Sequence, residues 1–170
     1  MSVRPTLAVL LAAGLLLAGC SDDPEPRFEP TDPPSPTESE TSAAPEAQTP
    51  EEFIREWVEL QRDMQNTGEV DAYLEASHGC ESCSSTARIV EDYYGAGGFV
   101  RTDGRSILDI QPIRPGETYD VKVRSAPTEY KKSAGGPLES FPGGVTTYRV
   151  TLKPKGDSWI LTNEVEVSDS

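Results

Sequence analysis

The feature that most limits how this chain folds is a change of hydrophobic period at Gly95-Ala96-Gly97-Gly98. Before that point apolar residues recur three and four positions apart; after it they alternate every second residue. Helices come first and strands follow, each with one apolar face. Such faces are buried by packing the two layers together. The expectation is an α+β domain of N-terminal helices and an antiparallel sheet.

The first helix starts at Thr49-Pro50-Glu51-Glu52, where Thr49 caps, Pro50 suits the first helical position and Glu52 completes a capping box. Phe53, Trp57, Leu60 and Met64 follow at helical spacing, widened by Ile54 and Val58, and Asn66-Thr67-Gly68 ends the run. Asp71 to Ala76 reads as a short second helix anchored by Tyr73 and Leu74. A third runs to Tyr94 with Ala87, Ile89, Val90 and Tyr93 on its apolar face.

Strands are expected from Ile107 to Ile113, weakened by Pro112, then around Tyr119, Val121 and Val123, and around Tyr148, Val150 and Leu152. In the last strand Trp159, Leu161, Asn163, Val165 and Val167 share a face, opposite Ile160, Thr162, Glu164 and Glu166. Lys155-Gly156-Asp157 makes the hairpin turn before it. The long connection from Ser125 to Val145 is expected to be either functional or disordered.

Upstream of the domain, Arg4 precedes an apolar run from Leu7 to Leu17, the length of a signal-peptide core and short of the roughly 20 residues a membrane span needs. Leu17-Ala18-Gly19-Cys20 resembles the lipobox of bacterial lipoprotein signal peptides. That resemblance implies lipidation of Cys20, cleavage before it, and a domain tethered to the outer face of the cytoplasmic membrane. Residues 20–48 are rich in Pro, Asp, Glu, Ser and Thr, with no apolar periodicity, and are expected to be a disordered spacer. The expected organisation is therefore a signal peptide over 1–19, a lipidated linker over 20–48 and a globular domain over 49–170.

Formal net charge is −14, from 15 Lys and Arg against 29 Asp and Glu, which argues against nucleic acid as a partner. With Cys20 assigned to the lipid, Cys80 and Cys83 remain as an even pair in an exported chain, the pattern of a disulfide. Two other readings stay open. A redox pair at a helix start has a depressed thiol pKa, but the motif here follows helical sequence rather than a buried strand. A metal site could use His78 with both cysteines, but structural zinc wants four ligands and no second Cys/His pair exists.

Nothing else carries chemistry. His78 is the sole histidine and no nucleophile elbow accompanies it. The glycines at 95–98 follow a helix, so they cap it rather than cradle a phosphate. Asn163 is the residue of interest, because an amide on the face of Trp159 and Leu161 needs a partner, structural or ligand. No catalytic residue, metal or cofactor is expected.

The lipobox, the acidic Pro/Thr spacer, the amphipathic helix around Trp57, Cys80-x-x-Cys83 and Tyr94-Gly95-Ala96-Gly97-Gly98 together resemble a group of actinobacterial lipoproteins carrying a domain of unknown function. The order of helices and then strands is similar to the ketosteroid-isomerase-like cone fold. That likeness implies a curved sheet enclosing a pocket, which here would use Tyr148, Trp159, Leu161 and Asn163. The expected function is a non-enzymatic binding or envelope-organising module with an unknown protein or small-molecule partner. The alternatives are a small-ligand pocket within the cone, and a thiol–disulfide protein using Cys80 and Cys83.

Overall fold

Thr49 and Glu52 exchange hydrogen bonds in the computed structural model, which describes residues 47–167. The Glu52 amide donates to Thr49 Oγ1 at 3.2 Å and the Thr49 amide donates to Glu52 Oε2 at 2.9 Å. That bond to the Thr49 amide holds the Glu52 carboxyl below the usual glutamate range. The cap starts α1 (Pro50–Thr67), which ends where Gly68 turns at φ +80°, a conformation that favours glycine. A Cβ there would also come within 2.7 Å of the Tyr94 ring. The lipobox, Cys20 and the spacer up to residue 46 lie outside the described residues.

Two further helices follow, α2 (Asp71–Ala76) and α3 (Glu81–Gly95). Cys80 and Cys83 form a disulfide, and the Cys83 amide donates to Cys80 Sγ, so the bridge also caps α3. Both cysteines are 0% exposed, which keeps reductants away from the sulfurs in the folded state. Replacing both by serine should cost about 2 kcal/mol by the loop-entropy relation for so small a loop. Urea denaturation of the double variant checks this, and an unchanged midpoint would refute it.

Seven strands complete the domain: β1 (Phe99–Thr102), β2 (Arg105–Arg114), β3 (Thr118–Ser125), β4 (Thr128–Lys131), β5 (Glu139–Phe141), β6 (Gly144–Lys155) and β7 (Ser158–Val167). They form a small sheet ordered β1-β4-β5 and a larger one ordered β2-β3-β6-β7, antiparallel throughout. The two are halves of one creased surface. The runs β1–β2, β3–β4 and β5–β6 are each interrupted by two residues, at 103–104, 126–127 and 142–143. The Ala126 amide bonds the Gly104 carbonyl at 2.9 Å across the crease. Gly143 is needed there, because a Cβ would stand 2.4 Å from the Ser125 carbonyl oxygen.

The three helices cover the concave side of this curved sheet, the cone-like α+β arrangement expected. Ile54, Trp57 and Met64 from α1 and Tyr73 from α2 meet Tyr119, Val123, Val150, Leu152 and Leu161 from the sheet, all nearly fully buried. Pro112 is accommodated because β2 is an edge strand, where a missing donor breaks no inner ladder.

The connection from Ser125 to Val145 is structured, against the disordered expectation: it holds β4 and β5 and carries the β3 strand across the crease. Gln48, one residue before the expected boundary, also contacts the domain. Its amide bonds the Asp157 carbonyl at 3.0 Å, and its own carbonyl accepts from Trp159 Nε1 at 2.9 Å.

Candidate functional site

Several clefts open on the described residues, and two bear on the expected pocket: the concave interior and an aromatic-walled groove beside the small sheet. The interior is closed. Ile54, Trp57, Val58, Arg105, Val121, Val123, Tyr148, Val150 and Glu164 line a void of only about 10 Å³, room for one water at most. Arg105 fills it from the side, bonding Glu164 Oε1 at 2.6 Å and lying 4.3 Å over the Tyr148 ring.

Deeper in, Tyr73 stacks on Trp57 at 5.8 Å between ring centroids, and neither the Tyr73 hydroxyl nor Trp57 Nε1 has a hydrogen-bond partner among the described residues. Burial, reinforced by the nearby Glu164 charge, pushes the Tyr73 hydroxyl well above its ordinary range, so it stays a neutral phenol.

The four residues expected to line a pocket are not brought together. Tyr148 reaches the void, while Leu161 is fully buried in the core. Trp159 lies at the far end of β7, on a shallow groove shared with Phe53, Leu60 and Ala76. Asn163 is the clear correction, because it is exposed on the outer face of the sheet. The cause is a bulge. Thr151 pairs with Asn163 but Leu152 pairs with Leu161, so Thr162 is one residue extra and the alternation flips after it. Glu164 then points inward to meet Arg105, while Val165 points out and is 46% exposed.

The groove lies between α3 and the small sheet. It has a volume of about 260 Å³ and is lined by Gln65, Thr86, Ile89, Val90, Tyr93, Val100, Thr128, Tyr130 and Phe141. Three rings stack along it: Tyr93 to Tyr130 at 5.7 Å, and Tyr130 to Phe141 at 4.9 Å. Phe141 is 60% exposed and Ile89 51%, so the apolar wall faces solvent.

A polar brace holds the middle ring. Tyr130 donates to Glu139 Oε2 at 3.0 Å, and Lys132 pairs with the same carboxylate at 3.1 Å. Lys132 first, and the Tyr130 hydroxyl second, keep the Glu139 carboxyl below its ordinary range.

Tyr93, Tyr130 and Phe141 were visible in the sequence only as an apolar helix position and two aromatics in a long connection. Arg105 carried no signal, and Glu164 read only as one of the residues on the face of the last strand opposite Trp159 and Leu161. Their juxtaposition depends on the crease and the bulge.

Chemically, the groove offers an apolar, aromatic binding surface whose one lining hydroxyl set against a carboxylate is that of Tyr130, braced by Glu139. His78 is exposed in the turn between α2 and α3 and does not line the groove. Among the described residues no three of His, Cys, Asp and Glu are grouped to hold a metal ion, and no helix is long and apolar enough to cross a membrane.

No protein-family model and no curated protein matches this chain. Solved structures with a similar backbone include the intermembrane space region of the chloroplast protein ARC6, at 9% identity and TM-score 0.47, covering 70% of this chain and 94% of that one. An NTF-2 like protein of unknown function from Shewanella oneidensis is 14% identical with TM-score 0.42, covering 69% and 98%. An NTF2-like protein with a cystatin-like fold from Novosphingobium aromaticivorans is 14% identical with TM-score 0.41, covering 68% and 79%. At these identities the likeness is one of backbone path alone.

Proposed function

We propose that this chain is a non-enzymatic binding module of the actinobacterial lipoprotein type, held by a lipid on Cys20 at the outer face of the cytoplasmic membrane, and that it grips a partner protein through the aromatic groove. The observation that carries the reading is the contrast between a filled interior and an open groove with a stacked aromatic wall. The wall selects the occupant: about 260 Å³ lies at the small end of ligand clefts, and its solvent-facing Ile89 and Phe141 suit one or two apolar side chains of a protein. Exposed aromatics around such a pocket are the usual anchors of an interface.

The test is a photoreactive side chain at Ile89 in the full chain, irradiated in the native envelope, with a control at Lys122 on the outer sheet. The expected result is one discrete protein adduct from position 89, weakened about tenfold or more by Phe141→Ala, as for an interface anchor. Phe141 is exposed, so its loss should leave thermal stability nearly unchanged. Adducts to phospholipid alone, or the same adducts from both positions, would overturn the reading.

A further inference from the structure

The two sheets present four edge strands, β1 and β5 in the small sheet and β2 and β7 in the large one. An open edge invites an added strand, and three of these edges are guarded. On β1, the Asn66 side chain takes both backbone groups of Thr102, accepting from its N–H at 3.0 Å and donating to its carbonyl at 2.9 Å. The Tyr94 hydroxyl donates to the Val100 carbonyl at 3.2 Å. β2 carries Pro112 and two register shifts, while β7 carries one shift and gives its Glu164 carbonyl to Ser82 Oγ at 3.0 Å. Among the described residues, no side chain hydrogen-bonds to the backbone of β5, and β4 is its one strand neighbour.

Alternation tells which groups of β5 are free. Asn66 holds both groups of Thr102 away from β4, so Thr102 and Thr128 are a non-hydrogen-bonded pair. Thr128 and Tyr130 then turn their backbone groups to Phe141 and Glu139, while Glu129 turns back to β1. Ser140, opposite Glu129, is left with its N–H and C=O on the open side, and it is exposed. The side chains on either side of it face the groove: Phe141 lines it and Glu139 braces Tyr130.

We infer that the partner of the groove docks as an extended strand along β5, setting an apolar side chain beside Phe141 and, two positions away, a Lys or Arg beside Glu139. The inference rests on the groove reading above and adds the conformation and chemistry of its occupant. A strand added at Ser140 exchanges both backbone bonds with one partner residue, and that residue's two neighbours fall on the groove face. One of them meets the Phe141 ring, which is 60% exposed, and the other meets the Glu139 carboxylate. Charge selects a cation there. Glu139 already holds Lys132, but a carboxylate has room for a second cation. The helix layer, whose α3 walls the groove, carries eleven Asp and Glu against three Arg over residues 50–95, so it draws a basic segment and repels an acidic one. β5 is three residues long and Pro142 follows it, so the match covers only these few positions.

The test uses the full chain in nanodiscs of zwitterionic phosphatidylcholine and a short capped peptide, Thr-Val-Thr-Phe-Thr-Lys-Thr. One control peptide sets Phe and Lys on adjacent positions, hence on opposite faces of a strand, and a second has Glu in place of Lys. The expected result is that the first peptide slows hydrogen exchange of the Ser140 amide by about fivefold or more, and that neither control does. Ser140→Pro removes the edge N–H without breaking the β4 ladder, so it should weaken peptide binding about tenfold at a nearly unchanged thermal midpoint. Binding that shifts the Ile89 and Tyr93 signals but leaves Ser140 exchange as it was would overturn the added strand. Equal binding of all three peptides, or binding of none, would do the same. The envelope cross-link separates this inference from the groove reading. An adduct at position 89 that survives Ser140→Pro in full removes the strand and keeps the groove, whereas no protein adduct from the otherwise unaltered chain removes both.

Discussion

Replacing Trp57 by alanine should destabilise the domain by about 3–5 kcal/mol, the cost of removing a large aromatic from a packed core. Trp57 is 2% exposed and stands where α1 crosses the sheet, stacked on Tyr73 and facing Val121, Val150 and the small void beside Arg105. Domains of this size hold about 5–15 kcal/mol in total, so the loss takes a large share of the stability. In thermal terms it lowers the midpoint by roughly 10–20 °C. Trp57→Phe should cost only about 1.5 kcal/mol or less, since it keeps a ring and gives up an indole N–H that has no partner among the described residues. Urea denaturation of both variants measures the difference. Equal losses would mean that the indole N–H, and not the ring, is what the core depends on.

The second large effect concerns the ion pair that plugs the interior. Arg105→Met should cost about 3 kcal/mol or more, because it leaves the Glu164 carboxylate near the Tyr73 phenol with its charge uncompensated. The Glu164 side chain is only 10% exposed, so water screens it poorly. Adding Glu164→Leu to the same chain should recover most of that loss, since two apolar side chains of similar size suit the site nearly as well as the pair. The four chains of this double-mutant cycle, compared by chemical denaturation, yield the coupling directly. Additive losses would show that each residue acts through packing alone. The outcome bears on function too, because the pair is what keeps the cone filled.

The partition between sequence and structure follows the range of the interactions involved. Local rules specified α1 from its capping box to Gly68, the disulfide at the start of α3, and the change from helical to alternating period, and all three are present. These depend on residues within a few positions of one another, which is what patterns and caps report. Long-range pairing decided the remainder. Residues 125–145 carry no regular alternation, yet β4 and β5 form there because β1 and the crease offer them partners. Ile89 lies on the apolar stripe of α3 but stays half in solvent, because the small sheet stops short of covering it.

The same boundary runs through the candidate sites. Composition alone showed that the chain is acidic and holds a single histidine. Only the tertiary structure moved Asn163 out of the core, through one extra residue opposite Thr151 and Leu152. A period-two pattern is blind to such a bulge, since inserting one residue inverts every later side chain without altering composition. The aromatic groove has the same origin. Tyr93, Tyr130 and Phe141 come from a helix and two strands, and only the folding of the sheet over α3 stacks their rings.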